Sequence, residues 1–191
     1  MYRISIGRYT VSVASASGPV ANDLIACHAL LHDDLSDPST REDRWCWFAV
    51  ERSTGEVLLS VTATGEATGG PDVAGIQLIP ETDRLLVAAA DTLACYDLAQ
   101  PRRLWRDRAF WFRRWLRCGD VLLMQAEYEL AAYDLSGDRL WSTQADFPYE
   151  LEFTGTRLRL VSPPPPPPPD GAGYVPEGSF ELRRGPDAPD R

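Results

Sequence analysis

Apolar and polar residues alternate along most of this chain, in short runs separated by turn sequences. The first thirteen residues, MYRISIGRYTVSV, change character at nearly every step, which is the period of a half-buried strand. Further on, DVLLMQA from Asp120 is a continuous apolar run of strand length and YELAAYDL from Tyr128 alternates. SGD from Ser136 has tight-turn composition, and RLWST from Arg139 resumes the strand pattern. AGIQLI, FWFRRWLR and YELEF are further candidate strands. A helix period is nearly absent. Its best case is NDLIACHALLHDDL, where Asn22 or Asp23 has the chemistry of a cap.

The pattern repeats. DRLLVAAADTLACYDLAQPRRLW, from Asp83, matches DVLLMQAEYELAAYDLSGDRLW, from Asp120. The leading Asp residues and the Tyr96-Asp97-Leu98 and Tyr133-Asp134-Leu135 triplets are 37 residues apart, and Trp105 and Trp141 are 36 apart. The same template extends upstream, with Asp23 in the leading Asp position and Glu51 in the position of Asp97 and Asp134. This reads NDLIACHA as a strand and requires a polar insertion at 31–44. Downstream, TGTRLRLVS opens a fourth copy, and GSFELRRG continues it after an insertion at 163–178 that holds the heptaproline Pro163 to Pro169. The expected organisation is one domain, 1–191, with repeats near 14–62, 73–108, 109–144 and 147–184 and a tail at 185–191.

LAAYDLSGDRLWST resembles the strand-turn-strand core of pyrroloquinoline-quinone-type (WD-like) β-propeller repeats, in which an Ala-x-Asp strand, a Ser/Thr-Gly turn and a Leu-Trp strand recur. LACYDLAQPRRLWRD is a second example, and FAVERSTGEVLLSV a third, with Glu51 for Asp and Leu59 for Trp. The resemblance implies an all-β fold of repeated antiparallel sheets, propeller-like with about four blades, and carries no particular activity. Four units are fewer than the usual ring of such propellers. An open fan, a homodimer completing a larger ring, and closure by the N-terminal strand joining the last blade are the three solutions, the last being preferred because closure removes exposed sheet edges.

Composition narrows the chemistry. All 19 basic residues are Arg, so lysine-dependent phosphate loops and Schiff-base chemistry are excluded. With only His28 and His32 there is no three-histidine metal centre. On a strand these two stand about 13 Å apart, too far to chelate with Cys27, Asp33 and Asp34. No GxSxG elbow or dinucleotide glycine motif is present. Cys27, Cys46, Cys95 and Cys118 form no CxxC pair and read as reduced thiols, mostly buried. The absence of an apolar leader or of a long apolar run points to a soluble, cytoplasmic protein with no membrane contact. No cofactor and no metal are expected.

Two repeated features read as structural. An acid before a turn bonds the turn's amides, the role expected of Asp97, Asp134 and Glu51. Trp105 and Trp141 are expected to pack blade on blade. The exception is charge. The net charge of -9 conceals a stretch, Arg102 to Arg117, with seven Arg and one acid (+6), against -15 for the remainder. On a regular strand the two-residue period places Trp111, Arg113, Trp115 and Arg117 on one face and Phe110, Phe112, Arg114 and Leu116 on the other. Alternating Trp and Arg can stack on flat groups and fork onto carboxylates. The alternative is that these Arg pair with neighbouring acids. The expected function is therefore a non-catalytic protein-interaction or ligand-binding module, using these four residues against an acidic protein partner or anionic ligand. A small hydrolase or carbohydrate-acting enzyme is one alternative. An anionic-ligand or nucleic-acid binder is another, nucleic acid being disfavoured by the surrounding negative charge. The heptaproline reads as a stiff loop insertion or a ligand for an aromatic-lined groove.

Overall fold

The computed structural model describes residues 2–17, 27–36, 44–64, 75–89, 91–109, 111–145, 148–161 and 179–186. Asn22, Asp23, the glycine-containing run at 65–74, the heptaproline and the tail from 187 lie outside the described residues. The chain divides into two compact units, Met1–Ala109 and Phe110–Arg191, with two sheets each. In the first unit, β1 (Tyr2–Ile6), β2 (Tyr9–Ser17), β3 (Leu31–Asp34), β4 (Arg44–Arg52) and β5 (Val57–Thr64) form sheet 1 in the order β1-β2-β4-β5-β3. Sheet 2 is the meander β6 (Gly75–Ile79), β7 (Arg84–Ala89), β8 (Thr92–Asp97) and β9 (Arg102–Arg108). In the second unit, β10 (Phe112–Cys118), β11 (Val121–Ala126), β12 (Glu129–Asp134) and β13 (Arg139–Gln144) form sheet 3, and β14 (Glu150–Thr154), β15 (Arg157–Val161) and β16 (Ser179–Glu181) form sheet 4. The described residues contain no helix.

Sheets 1, 3 and 4 share a first hairpin. Gly7-Arg8, Gly119-Asp120 and Gly155-Thr156 are two-residue loops closed by the pairs Ile6↔Tyr9, Cys118↔Val121 and Thr154↔Arg157. The glycines have φ of 60°, 64° and 60°, as a hairpin turn with glycine at its first central position requires. Sheet 2 uses a longer loop that ends on Asp83 at φ 56°.

Sheets 1, 2 and 3 share a bulge. Pairing jumps from Val50↔Leu59 to Glu51↔Val57, from Cys95↔Trp105 to Tyr96↔Arg103, and from Ala132↔Trp141 to Tyr133↔Arg139. Leu58, Leu104 and Leu140 are the extra residues. This register corrects the alignment of the first repeat. Asp134 N–H donates to Asp138 O (2.9 Å) and Gly137 N–H to Asp134 O (3.1 Å), while Arg52 N–H donates to Glu56 O and Gly55 N–H to Arg52 O, both at 2.8 Å. Arg52, and not Glu51, therefore stands in the turn-acid position. The pairs Tyr9↔Arg52, Arg84↔Asp97 and Val121↔Asp134 likewise place Arg8 where Asp83 and Asp120 stand. The Ser- and Thr-rich strand β2 fills the position expected of NDLIACHA. Part of the expected loop insertion, Leu31–Asp34, is a strand that pairs parallel with β5.

The N-terminal strand does not join the last repeat. Among the described residues β1 pairs only with β2, its hairpin partner, and forms the edge of sheet 1. In sheet 2 every residue from Leu85 to Ala89 and from Thr92 to Asp97 is buried, whereas in β9 only Trp105 is half-buried. Four Arg on that edge strand discourage pairing with another chain. The core of the first unit joins sheets 1 and 2 through Tyr9, Phe48, Val61, Leu85 and Tyr96. That of the second joins sheets 3 and 4 through Leu123, Leu130, Tyr149, Leu158 and Phe180.

Candidate binding surface on the third sheet

The turn acids behave as their chemistry dictates in two places. Asp97 Oδ1 accepts from Ala99 N–H (2.9 Å) and Gln100 N–H (3.1 Å), and Asp134 Oδ1 from Ser136 N–H (2.8 Å) and Asp138 N–H (3.0 Å). Glu51 caps no turn in this way; its carboxylate takes Arg3 at 2.6 Å. Trp141 joins two sheets as expected. Its Nε1–H donates to Leu182 O (2.6 Å) and its ring meets Phe180 edge-on at 5.4 Å.

The surface expected of β10 is rearranged. Pairing slips between Phe112↔Ala126 and Arg114↔Gln125, so Arg113 is a bulge residue and the two-residue alternation changes phase there. As a result Trp115, expected on the face opposite Phe112, packs on it at 5.4 Å and meets Tyr133 edge-on at 5.8 Å. Arg113 Nε–H donates to Glu127 Oε2 at 3.0 Å, Arg114 Nε–H to Gln125 Oε1 at 2.8 Å, and Arg117 Nε–H to Gly119 O at 3.2 Å. The four expected residues thus fall in three places. Trp111 and Arg113 sit at the start of β10, Trp115 is half-buried against Tyr133, and Arg117 lies at the far turn.

One residue was not singled out by the sequence. Tyr128, in the loop between β11 and β12, is 50% exposed and its ring stands 5.8 Å from that of Trp111, which is 47% exposed, with 36° between the planes. The signal was available: Tyr128 occupies the loop position that Asp91 holds in the sister repeat 37 residues earlier. Trp111 itself has φ 55°, a left-handed conformation that a bulky residue adopts only when its surroundings impose it, and its carbonyl accepts from Glu127 N–H at 3.1 Å. Beside Tyr128 lies a hollow of about 380 Å³ lined also by Glu129, Ser142, Thr143 and Gln144.

A larger cleft of about 760 Å³ opens within the second unit, lined in part by Asp120, Phe153, Arg157, Glu181, Arg183 and Arg184. Arg183 pairs with Asp120, and Arg157 with Glu181 at 3.4 Å. Among the described residues the Arg184 side chain makes no ion pair.

The basic stretch is divided between the two units. On β9, Arg103 Nη1 donates to both oxygens of Asp33 (2.8 and 2.9 Å), and Arg102 approaches Asp97 at 3.8 Å. Arg106 donates to the carbonyls of Asp34 (3.5 Å) and Leu35 (3.4 Å). Asp33 also accepts from Tyr96 Oη–H at 2.9 Å. Burial first, then that carboxylate's charge, push the Tyr96 hydroxyl far above its ordinary pKa. His28 is exposed, and His32 Nδ1 lies 3.4 Å from Ser60 Oγ. Among the described residues no three His, Cys, Asp or Glu are grouped to hold a metal. None of the four cysteines is in a disulfide; Cys95 is buried and Cys27 exposed. Burial raises the thiol pKa of Cys46 and Cys118.

Four sheets built mainly of hairpin-linked antiparallel strands, three of them with the glycine loop and three with the bulge, make this a propeller-like all-β protein. Among solved structures it is similar to the β-propeller domain of the Trilobed protease from Pyrococcus furiosus, which has an open velcro topology, with a TM-score of 0.50 and 8% identity. That match covers 95% of this chain and 56% of the other, so this chain spans little more than half its length. It also aligns with BamB from Moraxella catarrhalis (TM-score 0.36, 11% identity, 84% of this chain and 53% of that one). Alignment with Hsv2p from Kluyveromyces lactis gives a TM-score of 0.37 at 13% identity, over 60% of this chain and 35% of the other. No family model and no curated protein sequence matches. At these identities the likeness is one of fold alone.

Proposed function

We propose that this chain is a non-catalytic protein-interaction module, built from pyrroloquinoline-quinone-type repeats, that binds through the Trp111 end of sheet 3. The observation that carries it is the exposed Trp111–Tyr128 pair, two large rings left in water beside an ion pair and a polar hollow. The shared turn-acid and Leu-Trp geometry of sheets 2 and 3 supports the repeat type. Of the four residues first considered, Trp111 and Arg113 belong to this surface, whereas Trp115 supports it from the interior side. The test is affinity capture from native lysate with wild type, Trp111→Asn and Tyr128→Ala. Asn tolerates the left-handed backbone, so Trp111→Asn removes the ring and keeps the fold. Loss of the same captured proteins in both variants is expected; an unchanged set removes the reading.

A second reading, an anionic ligand or acidic partner, is favoured by the cleft lined by Arg157, Arg183 and Arg184, with Phe153 offering an apolar face. Phenyl phosphate titrated calorimetrically should bind wild type and lose at least tenfold in affinity with Arg184→Glu. Equal affinities would dismiss it.

A further inference from the structure

We infer that the open edge of β13 is a seat for an added strand, and that its occupant is an extended, uncharged, alternately apolar segment of a partner protein. This rests on the reading that the Trp111 end of sheet 3 binds a protein, since Tyr128 lines the hollow along that edge. The bulges at Leu58, Leu104 and Leu140 set the last strands of three sheets in one register. Ser60-Val61-Thr62 of β5, Arg106-Asp107-Arg108 of β9 and Ser142-Thr143-Gln144 of β13 then stand at equivalent positions. In sheet 1 these positions carry a fifth strand: β3 pairs with them in parallel, and Leu35 N–H donates to Thr62 O at 2.8 Å. In sheet 2 the same edge is charged and exposed, which discourages an added strand. Sheet 3 has the uncharged edge of sheet 1 without its fifth strand. Among the described residues β13 ends the sheet, and the hollow of about 380 Å³ lies along Ser142, Thr143 and Gln144.

The backbone of this edge is turned outward. Ala145 N–H donates to Tyr128 O at 3.2 Å, so by antiparallel alternation Thr143 and Trp141 bond inward to β12. Ser142 and Gln144 therefore direct N–H and C=O to the open side, as Ser60 and Thr62 do towards β3. Gln144 O has the Thr143 hydroxyl at 3.5 Å, a weak contact that leaves room for an N–H. The chemistry of the occupant follows from β3. Leu31 and Leu35 pack on the core of the first unit, Leu35 fully buried. Asp33, between them, takes Tyr96 Oη–H and Arg103 of sheet 2. Within the second unit sheet 4 packs on sheet 3, and its counterpart of Tyr96 is Phe180, since Leu85↔Tyr96 and Leu158↔Phe180 are matching pairs. A phenyl ring offers no bond to a carboxylate. The segment added to β13 is accordingly apolar at its first, third and fifth positions, with main-chain bonds supplying affinity and side chains the choice of partner. Every described strand of this chain is already paired in a sheet, which assigns the segment to another protein.

The probe is a capped synthetic peptide copying residues 30–36 with Asp33→Val, titrated calorimetrically against the full chain, with amide hydrogen exchange read at Ser142 and Gln144. The peptide should bind wild type and slow exchange at both amides. Ser142→Pro removes an outward N–H and no bond to β12, so it keeps the sheet and should lower the affinity about tenfold or more. Should that variant fail to fold, the peptide methylated on its Leu35 nitrogen serves on wild type. It lacks the N–H whose counterpart in sheet 1 bonds Thr62 O, and should bind about tenfold more weakly. Affinity indifferent to both changes overturns strand addition. The same peptide with Asp33 retained should bind more weakly, and equal affinity overturns the uncharged occupant. A chain that sediments as a dimer in wild type and as a monomer with Ser142→Pro gives the seat to a second copy and overturns the partner. If the peptide binds no form while lysate capture still depends on Trp111 and Tyr128, the strand seat falls and the interaction module stands. If capture is also indifferent to those rings, both fall.

Discussion

Asp83 closes the loop between β6 and β7 at a left-handed φ of 56°, and its carboxylate accepts from Tyr9 Oη–H at 2.7 Å and from Arg8. Partial burial works against its charge, but the bonds from Tyr9 and Arg8 prevail and hold the carboxyl below its usual pKa. A depressed acid stabilises the fold above its unfolded pKa, about 3.9, and loses that contribution as pH falls through the lower folded value. Asp83→Asn should therefore lower the urea midpoint at pH 7, with the gap to wild type shrinking towards pH 3. Asn keeps the left-handed backbone, so the comparison isolates charge. Gly185, at φ 78°, is a second sharp case. A Cβ there would stand 2.6 Å from Cγ of Trp141, a ring fixed by its bond to Leu182 O. Gly185→Ala should destabilise the protein by about 1–3 kcal/mol, read as a fall in thermal midpoint. At this scale the sequence was readable where a side chain serves its own turn, as with Asp97 and Asp134. It was misread for Glu51 because the first repeat carries Arg52 at the turn-acid position, and the acid one residue earlier took its place, although Gly55 follows Arg52 by the same three residues that separate Gly137 from Asp134.

Among the elements, a bulge decides what the pattern shows. The existence of β10 to β13 follows from apolar runs and turn residues, and the repeat supplied their order. The face of β10 did not follow, since strict alternation fails once Arg113 is looped out. That is why Trp115 lies against Phe112 and why the candidate surface moved to Trp111 and Tyr128. The glycine hairpins, in contrast, are spaced in the sequence at Gly7, Gly119 and Gly155, and their regularity could have set the first repeat's register. Gly119 has open space where a Cβ would go, so Gly119→Ala tests backbone conformation alone. It should cost about 1–2 kcal/mol by chemical denaturation, and binding at the distant Trp111 end should be unchanged.

For the whole molecule, sheet number and class were legible because the repeat is strong. The pairing of the first sheet was not, because its equivalent second strand is rich in Ser and Thr and a 26-residue excursion separates it from the third. Native-state hydrogen exchange should be slowest in β7, β8, β11 and β12, whose residues are almost all buried, and fastest in β1 and β9. Uniform protection across each sheet would contradict this layering. β3 carries one further consequence, for the order of folding. A parallel strand contributed by an excursion has no local hairpin to nucleate it, so β5 must already be seated on β4 before β3 can add. Its Asp33 then ties Tyr96 and Arg103 of sheet 2 to sheet 1, a clasp closed after the folding barrier has been crossed. Asp33→Ala should accordingly leave the refolding limb of a chevron plot in place and raise the unfolding rate several-fold, making β3 the part of this protein that sets how long the folded state lasts.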